Sequence, residues 1–140
     1  MVSYLASRRA KPSWWDDEAW KGAEKVNYEI LPTYYQAKIA ADEALYQASK
    51  MRGPSSFAGI NLRPGTLTME PAGKVELGKT KGSGGNTSRE TVAKVADLLL
   101  ASEGVGNVWV DLLDGEEDME AAVQRVVKEG VNAAEGEPVY

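Results

Sequence analysis

The pattern of apolar and polar residues along the chain predicts four strands and four helices. Residues 2–5, 57–62, 73–78 and 107–112 form short apolar or alternating runs, as expected of buried or half-buried strands. Longer segments repeat apolar residues every three or four positions, which predicts helices over residues 13–26, over residues 34–51, after Thr87 and after residues 114–117. Because strands and helices alternate, the predicted fold class is α/β with a largely parallel sheet.

The longest predicted helix, residues 34–51, carries one face made mostly of alanine. Alanine allows a helix to approach a sheet closely, so this face is expected to pack on the sheet. Gly53 and Pro54 are predicted to end the helix. Ser13 and Thr87 are the predicted N-caps of their own helices. The face consists of Tyr34, Ala37, Ala41, Ala44, Leu45 and Ala48.

Composition narrows the chemistry that the chain can perform. A length of 140 residues corresponds to one domain or part of one. The net charge of −5 argues against binding nucleic acid. The absence of both cysteine and histidine excludes disulfides, thiolate metal sites, a cysteine nucleophile and a histidine base. No apolar run approaches the roughly 20 residues that span a bilayer, and no signal peptide is recognisable, so no membrane association and a cytoplasmic location are expected.

One spacing near the start of the alanine-faced helix has a chemical meaning. Tyr34 and Lys38 are four residues apart, so they lie on the same face of a helix, one turn apart. An ammonium group beside a phenol favours the phenolate and lowers the phenol pKa. Such a tyrosine can move a proton to or from a carbonyl or alcohol without histidine. The alternative is a buried aromatic residue with a solvated lysine one turn later.

Several motifs together resemble the short-chain dehydrogenase/reductase superfamily, in its atypical NAD(P)-binding branch with NmrA-like relatives. Residues 34–43 read Tyr-Tyr-Gln-Ala-Lys-Ile-Ala-Ala-Asp-Glu, similar to the signature helix of that family. Residues 62–66 read Leu-Arg-Pro-Gly-Thr, and residues 88–93 read Ser-Arg-Glu-Thr-Val-Ala. These segments occur in the family order along nearly the whole chain. The resemblance implies the C-terminal half of a doubly wound, Rossmann-type parallel sheet with flanking helices.

The resemblance also implies roles for individual residues. Tyr34 would transfer the proton, and Lys38 would bind the nicotinamide ribose of NAD or NADP. Ser3, with Ser7 as its rival, would polarise the carbonyl of a small-molecule substrate. The turn that would line the nicotinamide side consists of Pro64, Gly65 and Thr66. Trp14, Trp15 and Trp20 would either line the substrate site or cover the core.

The glycine-rich loop that holds the dinucleotide pyrophosphate in this family is absent from the sequence. Residues 1–130 are therefore expected to be a partial NAD(P)-binding domain that lacks its N-terminal dinucleotide-binding half, holds no cofactor by itself and is inactive alone. Residues 131–140 are expected to form a frayed acidic tail. The strand at residues 2–5 would be an exposed edge that pairs with a second copy or another chain. The alternatives are a non-catalytic, dinucleotide-sensing module and an unrelated α/β domain.

Overall fold

A computed structural model describes residues 1–53 and 55–140, and its centre is a three-stranded sheet. The strands are β1 (Ile60–Pro64), β5 (Val108–Asp114) and β3 (Val75–Gly78), in the order β1-β5-β3. β1 and β5 are parallel, and β3 is antiparallel to β5 at the edge. The sheet with its flanking helices confirms the predicted α/β class.

The N-terminal segment lies along the outer edge of β1. Val2 pairs with Leu62 in the parallel sense. The amide of Ser3 donates to the carbonyl of Leu62 at 2.8 Å, and the amide of Leu5 donates to the carbonyl of Pro64 at 2.9 Å. The run predicted as a strand is therefore an extended segment that continues the parallel sheet for a few residues.

A second, two-stranded sheet was not predicted. Its strands β2 (Thr66–Thr68) and β4 (Asn86–Ser88) are parallel. Each strand has only three residues, which is too short to show an alternating pattern. β2 follows β1 directly, so the chain turns sharply at Gly65 between the two sheets.

Within the part of the chain that the structure describes, four α-helices pack around the sheets: α1 (Asp17–Lys25), α2 (Pro32–Arg52), α3 (Arg89–Ala101) and α4 (Met119–Glu129). A short π-helix over Val26–Ile30 joins α1 to α2. Val95 and Leu99 of α3 pack with Val123 and Val126 of α4 in the main core, on apolar side chains of the central sheet. No helix in the described ranges is long and apolar enough to cross a membrane.

The prediction for the buried face of α2 is wrong. The buried residues are Tyr35, Ile39, Asp42, Tyr46 and Ser49, whereas Tyr34, Ala37, Ala41 and Ala44 are exposed. The buried face combines Tyr35, Ile39 and Tyr46, which belong to an apolar cluster, with the polar Asp42 and Ser49, whose side chains find partners inside the protein. An apolar pattern cannot recognise such a face.

Two predicted N-caps are also wrong by a few residues. The side chain of Asp16, rather than Ser13, accepts a hydrogen bond from the amide of Ala19 at the start of α1. Ser88, rather than Thr87, caps α3. At the end of α2, Gly53 is the C-cap as predicted, with φ of 75°, and Pro54 lies outside the described residues.

The C-terminal segment is packed against the domain, so the expectation of a frayed tail is wrong. Ala133 and Ala134 are fully buried, and Val139 is buried beside Trp109. The amide of Ala133 donates to the carbonyl of Trp109 at 2.8 Å. The side chain of Asn132 accepts a hydrogen bond from the amide of Trp109 at 3.0 Å. These bonds hold the segment beside the first residues of β5.

Candidate functional site

A pocket of about 260 Å³ opens at the carboxyl ends of the N-terminal segment and β1. Ligands of open α/β sheets bind at this end of parallel strands. Four parts of the chain line the pocket: Tyr4, Leu5 and Ala6; Val26, Leu31 and Tyr34; Pro64, Gly65 and Thr66; and Ser83, Gly84 and Gly85. The predicted proton-transfer residue Tyr34 and the predicted nicotinamide-lining turn thus share one pocket.

The turn after β1 forms one wall of the pocket, and it requires glycine. The amide of Gly65 donates to the carbonyl of Leu112 at 3.0 Å, and the amide of Thr66 donates to the carbonyl of Gly85 at 2.8 Å. A Cβ atom on Gly65 would lie 2.4 Å from the carbonyl oxygen of Gly85 and 2.5 Å from a methyl group of Leu113. Only glycine allows the two loops to approach this closely.

Two tyrosine rings form the opposite wall. Tyr34 is 44% exposed, and its ring centroid lies 5.2 Å from that of Tyr4. The Tyr4 hydroxyl donates to Oδ1 of the buried Asn27 at 2.7 Å, and Nδ2 of Asn27 donates to the carbonyl of Ala6 at 2.7 Å. Burial raises the pKa of Tyr4 above its usual value, so Tyr4 is a fixed neutral phenol. Asn27 lies in the π-helix, a feature frequent at functional sites.

Lys38 lies beside Tyr34, as the spacing predicted. Its Nζ atom is 5.5 Å from the centroid of the Tyr34 ring and donates to the carbonyl oxygen of Val2 at 3.2 Å. This bond fixes the ammonium group at the edge of the sheet, next to the phenol. Tyr35, the neighbour of Tyr34, is buried and donates its hydroxyl proton to the carbonyl of Arg8 at 2.9 Å.

Ser3 and its rival Ser7 lie outside the pocket lining. Both hydroxyls donate to Oδ2 of Asp42, at 2.9 Å and 2.8 Å, and all three residues are buried. The structure therefore brings Tyr34, Lys38 and the Pro64–Thr66 turn together, and it holds Ser3 in a separate polar cluster beneath α2.

A buried charge cluster lies behind the pocket. Arg63 is fully buried, with Nε 3.1 Å from Oδ1 of Asp111 and Nη1 3.9 Å from Oδ2 of Asp42. Its Nη2 donates to the carbonyl of Leu5 at 2.8 Å, and its guanidinium lies 4.3 Å from the centroid of the Trp109 ring. Burial lowers the pKa of Arg63 to about 10, and the nearby positive charge of Arg8 acts in the same direction.

Arg8 joins this cluster to the C-terminal segment. Nη2 of Arg8 donates to Asp111 at 2.6 Å, and Nη1 donates to the carbonyl of Ala133 at 2.7 Å. Glu137 lies 3.6 Å from Nη1. Burial raises the pKa of the Glu137 carboxyl above its usual range. The cluster holds Leu5, and with it the wall that carries Tyr4, against the rest of the domain.

Comparison with known proteins identifies the family. Residues 13–103 match the NAD(P)H-binding protein family. The chain belongs to this family. No curated protein matches the chain significantly.

Two solved structures share the fold of this chain. One is the oxidoreductase ylbE from Lactococcus lactis, with a TM-score of 0.66 and 20% identity, covering 91% of this chain and 50% of that one. The other is a Bacillus halodurans protein provisionally named an NAD-dependent epimerase/dehydratase, with a TM-score of 0.64 and 23% identity, covering 89% of this chain and 50% of that one. The chain spans about half the length of both relatives.

The size and lining of the pocket suit the nicotinamide end of a dinucleotide better than its phosphates. Drug-sized ligands occupy pockets of about 300–1,000 Å³, so a volume of 260 Å³ suits a single ring system. Among the described lining residues, no lysine or arginine is available to pair with a phosphate. No group of three or more carboxylates in the described ranges is placed to hold a metal ion.

The three tryptophans near α1 lie outside the lining of this pocket as described. Trp15 is buried, and its indole nitrogen donates to the carbonyl of Thr80 at 2.9 Å. The guanidinium of Arg8 lies 5.3 Å and 5.0 Å from the ring centroids of Trp14 and Trp15. Their position favours the interpretation that they cover the core. Tyr4 and Arg8 were not predicted as site-forming residues, although they follow the predicted Ser3 by one and five residues along the chain.

Proposed function

We propose that this chain supplies the proton-transfer and nicotinamide-facing part of an NAD(P)-dependent oxidoreductase of the atypical short-chain dehydrogenase type. The observation that carries the proposal is the common pocket of Tyr34 and the Pro64–Thr66 turn, with Lys38 beside Tyr34. The NAD(P)H-binding family and the fold of the two solved relatives support it.

In this mechanism, the nicotinamide supplies or accepts a hydride when it is bound. The hydroxyl of Tyr34 gives a proton to the oxygen of the carbonyl that is reduced, or takes it back from the alcohol. Lys38 holds a positive charge next to the phenol and offers donors to the ribose hydroxyls. The turn after β1 excludes water from one face of the ring. We assign no role in proton transfer to Ser3, because its hydroxyl donates a hydrogen bond to Asp42.

A binding experiment with halves of the cofactor tests this assignment. We expect reduced nicotinamide riboside to shift the backbone amide signals of Gly65 and Thr66 in a ¹⁵N heteronuclear spectrum, and adenosine to leave them unchanged. A Leu31→Trp variant should weaken the binding because Leu31 lines the pocket. The matched control is Ile30→Trp, since Ile30 is exposed next door and lies outside the described lining.

The outcome separates the alternatives. Adenosine that competes with the riboside, or binding that Leu31→Trp leaves unchanged, would contradict the proposal. A non-catalytic, dinucleotide-sensing module would bind the riboside equally well in wild type and in a Tyr34→Phe variant. In a longer protein that contains this half, the rate of hydride transfer would then not depend on Tyr34.

We also propose that the N-terminal edge is covered by the half that binds adenosine and phosphates. The solved relatives are about twice as long as this chain. Next to the edge runs an apolar groove of about 420 Å³, lined by side chains that include Val2, Leu45, Ile60 and the highly exposed Leu100. A strand with a following helix would pair with the edge and fill the groove.

Sedimentation equilibrium distinguishes this partner from a second copy. We expect the isolated chain to remain monomeric and to co-purify with a co-expressed dinucleotide-binding half. Leu100→Asp should abolish the co-purification, and Met69→Asp, at another highly exposed apolar position, should not. A dimer of the isolated chain that only Leu100→Asp dissociates would assign the groove to a second copy.

A further inference from the structure

Asn27 is a buried amide beside the pocket, and the π-helix over Val26–Ile30 determines which of its neighbours face a ligand. The amide of Leu31 donates to the carbonyl of Val26 at 2.8 Å, a bond that spans five residues, as in a π-helix. Leu31 therefore stands one turn after Val26, and both residues line the pocket. Asn27, the residue after Val26, is only 1% exposed and lies outside the described lining.

The hydrogen bonds of Asn27 allow only one orientation of its amide. The carbonyl of Ala6 can only accept a hydrogen bond, so the atom that faces it at 2.7 Å must be Nδ2, which donates. Oδ1 then faces the Tyr4 hydroxyl at 2.7 Å, and an amide oxygen can only accept. The single proton of the Tyr4 hydroxyl is therefore donated to Asn27.

The Tyr4 hydroxyl can consequently only accept a hydrogen bond from a ligand. A phenol has one proton and two lone pairs, and Asn27 holds the proton. Burial raises the pKa of Tyr4, so the phenol stays neutral. The Ser83 hydroxyl in the same lining has the same polarity, because it donates to the carbonyl of Ala19 at 2.5 Å. Two hydroxyls of the lining are thus acceptors for a ligand.

These acceptors suit a planar ring that carries an N–H donor at its edge. The walls are the rings of Tyr4 and Tyr34 on one side and the backbone at Gly65 and Gly85 on the other. A primary carboxamide on a ring carries two N–H donors, whereas a methyl ketone of the same shape carries none. The ketone would exclude water from the Tyr4 oxygen without replacing the hydrogen bond of that water, which weakens binding.

We propose that Asn27 makes Tyr4 a hydrogen-bond acceptor for the ligand, and that the two residues together select a carboxamide over a methyl ketone on the same ring. Asn27 is a positioning residue, since it acts through the proton of Tyr4 and lies outside the described lining. The naming of nicotinamide as the carboxamide rests on the proposed function. The acceptor polarity of Tyr4 rests on the bonds of Asn27.

Two ribosides that differ by one group test this selectivity on the chain as it is. Binding is measured from the backbone amide shifts of Gly65 and Thr66. We expect reduced nicotinamide riboside to bind about five- to tenfold more tightly than reduced 3-acetylpyridine riboside, in which a methyl group replaces the amino group, because one hydrogen bond is lost. Tyr4→Phe removes the acceptor and should bring the two affinities to within about twofold of each other.

Asn27→Leu distinguishes polarity from packing. Without the amide, the Tyr4 hydroxyl is free to donate its proton to the ketone, so the ratio of the two affinities should also fall to within about twofold. A merely structural role of Asn27 would weaken both ribosides equally and keep the ratio. The matched control is Asn61→Leu, since Asn61 is fully buried and lies outside the described lining of this pocket, and it should leave the ratio unchanged.

Equal binding of the two ribosides to the wild-type chain would overturn the proposal. A wild-type ratio that persists in Tyr4→Phe or in a folded Asn27→Leu chain would do the same. If Asn27→Leu does not fold, Tyr4→Phe decides, because it removes only the hydroxyl.

Benzamide and acetophenone separate this proposal from the proposed function, because they differ by the same exchange of amino for methyl and are not parts of the cofactor. If reduced nicotinamide riboside binds and neither pair is distinguished, the proposed function stands and the acceptor assignment is wrong. If benzamide is preferred through Tyr4 and neither riboside binds, the acceptor assignment stands and the cofactor assignment is wrong. Absence of binding by all four compounds would refute both.

Discussion

Replacing Arg63 by methionine should destabilise the domain far more than removing any surface charge. Methionine keeps much of the side-chain volume but removes the charge and the bond to the carbonyl of Leu5. The buried carboxylates of Asp111 and Glu137 would then face Arg8 alone. Asp42 would lose the guanidinium that lies 3.9 Å away and keep the hydroxyls of Ser3 and Ser7. Breaking a buried ion pair by removing one partner costs about 3–5 kcal/mol, which is a large part of the roughly 5–15 kcal/mol that stabilises a domain.

Urea unfolding measures this loss. With a slope of about 2 kcal/mol per molar urea, a loss of 4 kcal/mol lowers the unfolding midpoint by about 2 M. Arg125→Met is the control: Arg125 pairs with Glu117 at 2.8 Å, and both side chains are about a third exposed. That pair should contribute about 1 kcal/mol or less, a shift of at most about 0.5 M.

Arg63→Lys sharpens the test, because lysine keeps the charge but lacks the planar fork that reaches Leu5 and Asp111 together. Its midpoint should fall between those of wild type and Arg63→Met. The reasoning would be refuted if Arg63→Met unfolded within about 0.5 M urea of the wild type, or if it unfolded no earlier than Arg125→Met.

Two further substitutions and one deletion give separate readouts. Gly65→Ala should lower the free energy of unfolding, measured in urea, by about 1–3 kcal/mol through overpacking. Gly84→Ala is the control, because a Cβ at Gly84 would have no atom within 4 Å, and it should leave the midpoint unchanged. Equal midpoints for the two variants would contradict the close approach of the two loops. Glu137→Gln should become more stable relative to wild type as the pH rises above about 4.5. Burial raises the pKa of the Glu137 carboxyl in the folded state, so the free energy of unfolding of the wild type falls over that range. Urea unfolding midpoints measured against pH check this, and the opposite trend would contradict burial as the dominant cause. Deleting residues 131–140 should sharply lower the midpoint of thermal unfolding measured by circular dichroism. Deleting only the exposed Tyr140 should change this midpoint little. An unchanged midpoint after the ten-residue deletion would show that the segment is dispensable.

The strands of the central sheet could be predicted because their signals are local. The predicted run 107–112 corresponds to β5 (Val108–Asp114), and 73–78 contains β3 (Val75–Gly78). Both alternate or concentrate apolar residues over a short stretch that ends in a turn. β2 (Thr66–Thr68) and β4 (Asn86–Ser88) carry no such pattern, since each is held by its pairing with the other.

The buried face of α2 could not be predicted, because its burial depends on residues elsewhere in the chain. Asp42 is fully buried only because Ser3 and Ser7 donate to it and Arg63 lies 3.9 Å away. The apolar pattern assigned the interior to alanines such as Ala41, which are exposed. Small apolar side chains gain less from burial than large ones, so the face with Tyr35, Ile39 and Tyr46 is buried instead, together with Asp42 and Ser49.

The site could be predicted where spacing along the helix decides it and not where tertiary contacts do. Tyr34 and Lys38 are neighbours through the geometry of one helix, and the Pro64–Thr66 turn reaches the same pocket. Tyr4 enters the pocket because Asn27 anchors its hydroxyl. That bond joins two segments 23 residues apart, and no sequence pattern marks it.

The bonds of Arg8 have a consequence for the order in which the protein folds. Arg8 is joined to Asp111 and to the carbonyl of Ala133 across 103 and 125 residues of chain. Contacts between residues so distant in sequence form slowly, because long loops must close before they are made. During synthesis, the acceptors of the Arg8 guanidinium do not exist until Asp111 and Ala133 have been added to the chain. The N-terminal wall of the pocket is therefore expected to be among the last parts of the domain to become ordered.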